Sequence, residues 1–355
     1  MSGGVDSSVA AALLKDQGYD VIGLTMTLTL PLRRPDKQGN KNLILGEQEV
    51  KNARRVASHL NIEHDSLDCG EVFSRIILEN FFNEYREGKT PNPCIRCNRE
   101  IKFGVLMGYM KRKKAGFFAT GHYARIDFDS ESSNFLLKKG LDKEKDQSYF
   151  LYTLTQNQLS HILFPLGNLA KKDVQKKAKE LTLPAVFRES QEICFIPNND
   201  YVGFFRNQIP GDFLPGPIVD TENRILGQHD GILNFTIGQR RGLGIAASQP
   251  LYVLEIRQSN NSVVVGPDEM LLKNKAEISC LNFINGHVLD RPFQADVKIR
   301  YKHKAAPAWI YPLNSRKLLL EFKNPQRAIT PGQSAVFYEG DAVIGGGIIE
   351  SVKTE

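Results

Sequence analysis

Polar and apolar positions fall into two textures along this chain. In residues 1–125, amphipathic segments with a 3.6-residue period alternate with short apolar runs. VDSSVAAALLKDQ (5–17) predicts a helix, closed by Gly18. YDVIGLTMTLTL (19–30) is a continuous apolar and β-branched run, the pattern of a strand covered on both faces. Residues 31–46 are rich in Pro, Gly, Lys and Asn and read as a loop. EQEVKNARRVASHLNI (47–62) predicts an amphipathic helix, and IEHDSLD (62–68) a short strand. VFSRIILENFFNEYREG (72–88) and IKFGVLMGYMKRKKAG (101–116) predict two further helices, and FFATGHYARI (117–126) a strand running into a turn. Strands alternating with helices imply a parallel, doubly wound α/β sheet.

Near residue 204 the helical period fades. PGDFLPGPIVDTENRILGQHDG is dense in turn residues. Beyond it come short alternating runs: LYVLEI, SVVVG, QADVKIRY, KLLLEF, SAVFYEG and AVIGGGIIE. These predict small mostly-β modules, a barrel or sandwich. At 355 residues the chain exceeds one ordinary core. The expected division is an α/β domain over 1–203, a small central domain over 204–271 and a C-terminal β-barrel over 272–355.

Composition adds constraints. The chain is 41% hydrophobic and 24% charged, ordinary for a globular protein. No apolar run approaches the ~20 residues of a membrane span, and no basic-then-apolar leader follows Met1. A cytoplasmic or processed organellar protein with no membrane partner is expected. Net charge is +6, and residues 86–114 hold nine Lys/Arg against two Glu. Such a patch suits a polyanion; a solvated helix face is the plainer alternative. Five Cys, at 69, 94, 97, 194 and 280, argue against a disulfide framework. They point to metal-binding or catalytic thiols, or to buried Cys.

Several short stretches carry chemistry. SGGVDSS (2–8) is a Gly turn entering a helix N-terminus, whose free N–H groups suit a phosphate or pyrophosphate. Gly3 and Gly4 form the turn, and Ser2, Ser7 and Ser8 add hydroxyl donors. Asp6 repels phosphate unless Mg²⁺ bridges the two. The competing reading is a flexible terminus capped by Asp6 or Ser7. GKTPNPCIRCNREIKFG (88–104) places Cys94 and Cys97 in a CxxC after stiffening prolines. No second half completes a zinc site; Arg96, Arg99, Lys102 and a helix start would lower a thiol pKa. Cys194, in RESQEICFIPNNDY (188–201), follows a polar loop, and a buried structural Cys is its alternative. Cys69 and Cys280 lack a polar setting. In ATGHYAR (119–125), Gly121 allows close approach of a nucleotide at a strand end and His122 touches substrate, although a lone His is more often structural. KDQSYFLY (145–152), FTIGQRRGLGI (235–245) and NPQRAITPGQSAVFYEGD (324–341) are polar, turn-marked stretches of the kind that contact RNA.

Taken in order, SGGVDSS, TPNPCIRCNREIKFG, ATGHYAR, KDQSYFLY, SQEICFI, TIGQRRGLGI and TPGQSAVFYEGD resemble the tRNA-specific 2-thiouridylases over essentially the whole chain. The resemblance implies ATP-dependent sulfur insertion at C2 of a wobble uridine, with adenylation of the base and delivery from a cysteine persulfide. It implies Cys97 as nucleophile and Cys194 as persulfide carrier, loaded by an upstream sulfur-donor protein. Ser2, Gly3, Gly4, Asp6, Ser7 and Ser8 would hold the pyrophosphate, Asp6 through Mg²⁺, with Met26 and Gly121 framing the adenosine. Asn92, Pro93 and Cys94 would face a flipped-out base. Lys145, Asp146, Gln147, Arg300 and Tyr301 would contact tRNA, with His122 and Gln333 nearby; no DNA partner is implied. Three departures accompany it. Cys94 stands where many members carry Asp, and residues 31–50 lack the family's acidic and Cys-containing pattern. The apolar strand expected before the loop is missing, which predicts that the natural chain begins upstream of Met1 and that ATP binding is weak without that strand. A noncatalytic tRNA-binding relic and another ATP-pyrophosphatase are the competing classes.

Overall fold

The computed structural model describes residues 1–32, 39–187, 193–196, 200–209, 211, 213–287 and 290–353. The chain enters helix α1 (Val5–Asp16) directly from the Gly turn. Its valines and alanines are small enough to be buried on almost every side. Strand β1 (Ile22–Pro31) follows, with β2 (Asn42–Leu45) antiparallel on one edge and β3 (Glu63–Asp68) parallel on the other. Helix α2 (Glu47–Leu60) makes the crossover and turns Val50, Ala53, Val56 and Ala57 inward. Strand β2 corrects the loop expected over 31–46: Leu43 and Leu45 pack on the core, and Leu28 pairs with Leu45. Residues 33–38 lie outside the described part.

Two long helical stretches follow. The first is α3 (Gly70–Phe73), a π-helical segment Ser74–Leu78, and α4 (Glu79–Arg86). The second is α5 (Pro93–Cys97), a π-helical segment Asn98–Leu106, and α6 (Met107–Arg112). The helix expected over 101–116 therefore begins and ends earlier. Pro93 starts it because proline fits the first helical position, where its fixed φ and missing N–H cost nothing. Cys94 and Cys97 thus lie on the first helical turn.

The strand expected over 117–126 is split. β4 (Phe118–Ala119) ends before the Thr120–Tyr123 bend, and β5 (Ala124–Asp129) forms a hairpin with β6 (Asn134–Lys139). After α7 (Gln156–Leu159), β7 (Ile162–Leu163) pairs parallel with β4. Helix α8 (Lys171–Glu180) packs Val174 and Ala178 against Val5 and Val9 of α1. The parallel pairs and intervening helices form the expected α/β region. Helix α9 (Tyr201–Gln208) lays Phe204 and Phe205 onto Phe81, Phe82 and Phe195. Phe81 and Phe205 stack with centroids 5.5 Å apart. Each ring buried there contributes roughly 1.5–3 kcal/mol, and this aromatic core lies directly beneath Cys97.

The remainder is β structure. Strands β8 (Gly216–Val219), β9 (Ile225–His229), β10 (Tyr252–Arg257) and β11 (Ser262–Gly266) form a sheet in the order β10-β11-β8-β9. A closed barrel follows from β12 (Leu272–Phe283), β13 (Phe293–Lys298), β14 (Ala306–Asn314), β15 (Lys317–Arg327), β16 (Ser334–Glu339) and β17 (Ala342–Lys353). Their order is β12-β15-β14-β13-β16-β17, closed by β12 on β17. Ile278, Val297, Ile310, Leu320 and Phe337 fill it. The β5–β6 hairpin joins the barrel at Ala342 and Lys138. Among the described residues, no helix is long and apolar enough to cross a membrane.

Candidate active site

The α1 loop is a tight glycine turn leading straight into a helix N-terminus. Gly3 has φ +71°, and a Cβ there would lie 2.4 Å from the Asn52 Cβ, so only glycine fits. Its carbonyl accepts from Val186 N at 2.9 Å, which pins the loop to a neighbouring parallel segment. No side chain caps the α1 N-terminus. Ser2 Oγ and Ser7 Oγ lie 3.2 Å apart, while Ser8 Oγ donates to the Gly4 carbonyl at 2.8 Å. Gly121 comes down on this loop: a Cβ there would be 3.0 Å from the Asp6 carbonyl carbon and 3.1 Å from Ser7 N. Met1 lies alongside β1, its amine on the Leu24 carbonyl and its own carbonyl accepting from Thr25 Oγ1. Met26, half-buried, packs on the adjacent core.

Asp6 is held from two sides. Lys171 Nζ lies 2.7 and 2.8 Å from its two oxygens, and the Tyr123 hydroxyl donates to it at 2.7 Å. Neither partner was singled out from the sequence. Tyr123 lies inside ATGHYAR, a usable signal; Lys171 opens an ordinary basic helix and gave none. Among the described residues no group of three or more His, Cys, Asp or Glu could hold a metal. Asp6 therefore suits Mg²⁺ only as a single protein ligand to an ion carried by phosphates.

The thiols gather at the start of α5. Cys97 is buried, Cys94 half-buried, and Cys194 is an exposed residue. Phe195 and Ile196, next to Cys194, share the core that contains Cys97 and Cys69. Cys194 acts electrostatically on both Cys94 and Cys97. The expected lowering of the Cys97 pKa is overturned. Burial pushes the thiol up to about 12, with Lys102 opposing and the neighbouring thiols adding to the rise. Burial likewise raises Cys94 to about 11; Cys194 is also raised, because its sulfur is desolvated by surrounding atoms although the residue as a whole is exposed, with Lys102 opposing. The other expected cations act elsewhere: Arg99 is exposed and pairs with Glu100 at 3.3 Å, and Arg96 acts on Glu84. Desolvation wins over nearby charge because the helix start is dry.

Lys102 is the one cation whose field reaches Cys94, Cys97, Cys194, His122 and the Met1 amine together. It is half-buried, and among the described residues it forms no ion pair. It therefore connects the loop end of the site to the thiol end. The residues Arg188–Glu192 before Cys194, and Pro197–Asn199 after it, lie outside the described part.

The remaining expected contacts divide. His122 is buried between Phe103 and Phe164, and its Nδ1 is 2.7 Å from Thr120 Oγ1. Burial, with Lys102 adding to it, holds its pKa well below the usual value, which favours the neutral imidazole. Asp146 is buried and accepts from Gly140 N, Ser148 N and Ser148 Oγ, which corrects its expected place on an RNA surface. Gln147 Oε1 accepts from Tyr123 N at 3.0 Å. Lys145 is half-buried beside them. Tyr301 packs on Phe150 at 4.5 Å, with Lys298 over its ring at 5.6 Å. Arg300 is half-buried next to it, and burial is the main force lowering its pKa. Pro93 is buried and Asn92 half-buried. Gln333 Nε2 donates to the Thr90 carbonyl at 2.8 Å.

A Gly-turn α/β domain, a small β domain and a β-barrel, with thiols grouped in the α/β domain, define a multidomain class of thiol-bearing α/β proteins. Residues 1–198 match the tRNA methyl transferase HUP domain, 203–267 the tRNA methyl transferase PRC-barrel domain and 273–349 the aminomethyltransferase beta-barrel domain. The chain is 49% identical over 351 residues to a tRNA-specific 2-thiouridylase of Caldanaerobacter subterraneus, covering 99% of this chain and 96% of the relative. It is 48% identical over 351 residues to one from Thermoanaerobacter pseudethanolicus, with 99% and 96% covered. With one from Acetivibrio thermocellus it shares 46% identity over 355 residues, with 99% and 98% covered. The chain belongs to the tRNA-specific 2-thiouridylase family.

Proposed function

We propose that this chain is an ATP-dependent tRNA-uridine 2-sulfurtransferase acting on the wobble uridine. The observation that carries it is that Phe195 and Ile196, which follow Cys194, pack in the same core as Cys97, so that the fold brings two thiols 97 residues apart in sequence to one region. The matched domain models are named for methyl transfer, but the relatives that match over the full length are 2-thiouridylases, and paired thiols have a direct role in sulfur transfer.

Ser2, Gly3, Gly4, Ser7, Ser8 and the α1 N-terminus receive the pyrophosphate part of ATP. Gly121 closes over the loop and Met26 borders the adenosine. Mg²⁺, when bound, neutralises phosphate charge and favours departure of pyrophosphate. Asp6, now bonded by Lys171 and Tyr123, would be its protein ligand, with Lys171 giving up one of its two contacts. The uracil O2 is a poor leaving group, and adenylation turns it into AMP. Asn92, Pro93 and Cys94 border the flipped base, while Lys145, Gln147, Arg300 and Tyr301 lie along the tRNA.

Cys194 is exposed and so accessible to an upstream persulfide donor protein. Its terminal persulfide sulfur bonds to C2, and AMP departs. The Cys97 thiolate attacks the Cys194 sulfur, forming a Cys97–Cys194 disulfide as the old S–S bond breaks. That disulfide must be reduced before another turnover. With its pKa raised to about 12, Cys97 waits as a thiol, and Lys102 favours the thiolate when it forms. The three units are 1–203 for activation and sulfur transfer, and 204–271 and 272–355 for RNA. The test is incubation of the protein with tRNA, ATP, Mg²⁺ and a persulfide donor, followed by nucleoside mass spectrometry. Appearance of 2-thiouridine supports the reading; its absence with an active donor sinks it.

A further inference from the structure

The barrel reaches back to the segment that carries Cys94 and Cys97. Between β15 and β16, the turn Thr330–Gln333 faces Thr90. The Thr90 N–H donates to the Pro331 carbonyl at 2.9 Å. Gln333 Nε2 donates to the Thr90 carbonyl at 2.8 Å, from 243 residues further along the chain. Both main-chain groups of one residue in a loop are thereby satisfied by a distant turn, with no help from its own neighbours.

The turn is built for close approach. Gly332 has φ +89°, and a Cβ there would sit 2.9 Å from Thr90 N and 3.0 Å from Lys89 Cβ. Its N–H donates to the Ile349 carbonyl at 2.9 Å, and Ile349 N returns a bond to the Gln333 carbonyl at 2.8 Å. The turn is therefore locked to β17 while its free face grips Thr90.

From Thr90 the chain has little freedom before the thiols. Pro91 and Pro93 are buried with fixed φ, so a shift at Thr90 is passed on rather than absorbed. The Tyr149 hydroxyl donates to the carbonyl of Ser334, the residue after Gln333, at 2.9 Å. Beyond Cys97, Asn98 Nδ2 donates to the Phe150 carbonyl at 3.0 Å. The thiol turn is thus suspended between two anchors, and the first is the barrel.

We propose that Gln333 is a positioning residue for the thiols: with Pro331 and Gly332 it fixes Thr90 and, through the two prolines, sets Cys97 in its dry position. Only the kinetic part of the test rests on the sulfurtransferase reading.

Two variants test it. Gln333→Glu keeps the shape but sets an acceptor against the Thr90 carbonyl; Tyr149→Phe keeps the ring but removes the hydroxyl that holds the Ser334 carbonyl next to Gln333. Iodoacetamide labelling of each cysteine, read by mass spectrometry without tRNA or ATP, reports the position of the thiols. Cys97 is expected to label roughly threefold to tenfold faster in Gln333→Glu, with the same sign and a smaller change in Tyr149→Phe. Cys69 and Cys280 are expected to label at wild-type rates. Single-turnover thiolation at saturating tRNA is expected to fall roughly tenfold while the tRNA Kd stays within about twofold. Unchanged Cys97 labelling overturns the proposal. So does equal acceleration at buried Cys69, which reports general loosening, and so does a weakened Kd with an unchanged single-turnover rate. If wild-type protein makes no 2-thiouridine but the labelling change appears, the sulfurtransferase reading fails and the positioning role stands.

Discussion

Two helices begin at the site, and they begin in opposite ways. Helix α1 opens from glycines, has no side-chain cap, and offers polar hydroxyls around a partly exposed Asp6. Helix α5 opens from Asn92 and Pro93, over an aromatic core, with thiols on its first turn. Both present the positive end of a helix dipole, but only one is wet. At α1 the dipole is free to act on an anion. At α5 desolvation outweighs dipole and lysine together, and the thiols stay protonated. A helix start therefore specifies no chemistry until its surroundings are known.

The comparison can be broken first at the thiol end. Replacing Cys97 or Cys194 by Ser should reduce single-turnover thiolation by about 10³-fold or more, because both act as one unit. Residual activity near wild type in either variant would remove that residue from the mechanism. At the loop end, Gly3→Ala forces a Cβ into Asn52 at positive φ. It should cost about 1–3 kcal/mol of stability, visible as a lower Tm, and weaken ATP binding. An unchanged Tm would mean that the loop relaxes freely.

A pH series sharpens the contrast between wet and dry ends. Cys97, with its pKa raised to about 12, gains thiolate all the way up the accessible range. Its alkylation rate should rise about tenfold per pH unit from pH 7 to 10 without levelling near the ordinary cysteine value. A plateau between pH 8 and 9 would contradict the dry environment. The smallest effect is at Lys102. Lys102→Met removes the one charge opposing desolvation, so Cys97 alkylation at fixed pH should slow by roughly twofold to fivefold. Faster labelling would mean that the lysine acts as a lid and not as a charge.

How much of this was legible beforehand follows the same division. The loop could be read because its function depends on backbone: glycines, hydroxyls and a helix start are visible as letters. The α/β alternation and the later strands could be read because their period depends on which faces are covered. Strand β2 was hidden in a stretch of polar residues, and β14 behind its prolines Pro307 and Pro312. Strand β12 is so interrupted by lysines and asparagines that its buried Ala276 and Ile278 do not stand out. At the site, Cys97 and Cys194 could be named but their environment could not. The prolines and cations around Cys97 suggested an activated thiol, whereas the dryness comes from Phe81, Phe195 and Phe205, which are distant in sequence. The Asp6–Lys171 pair joins residues 165 apart, and only the fold brings them together.

The bond between Gln333 and Thr90 also has a meaning in time. Its two residues are 243 positions apart. At about 5–20 residues per second of synthesis, Thr90 waits about 12–50 s for its partner to be made. The turn that holds it is tied to Ile349, a few residues from the end of β17. A ribosome still carrying the chain therefore displays the thiol segment held by Asn98 alone, and its barrel anchor is added only once β17 has emerged.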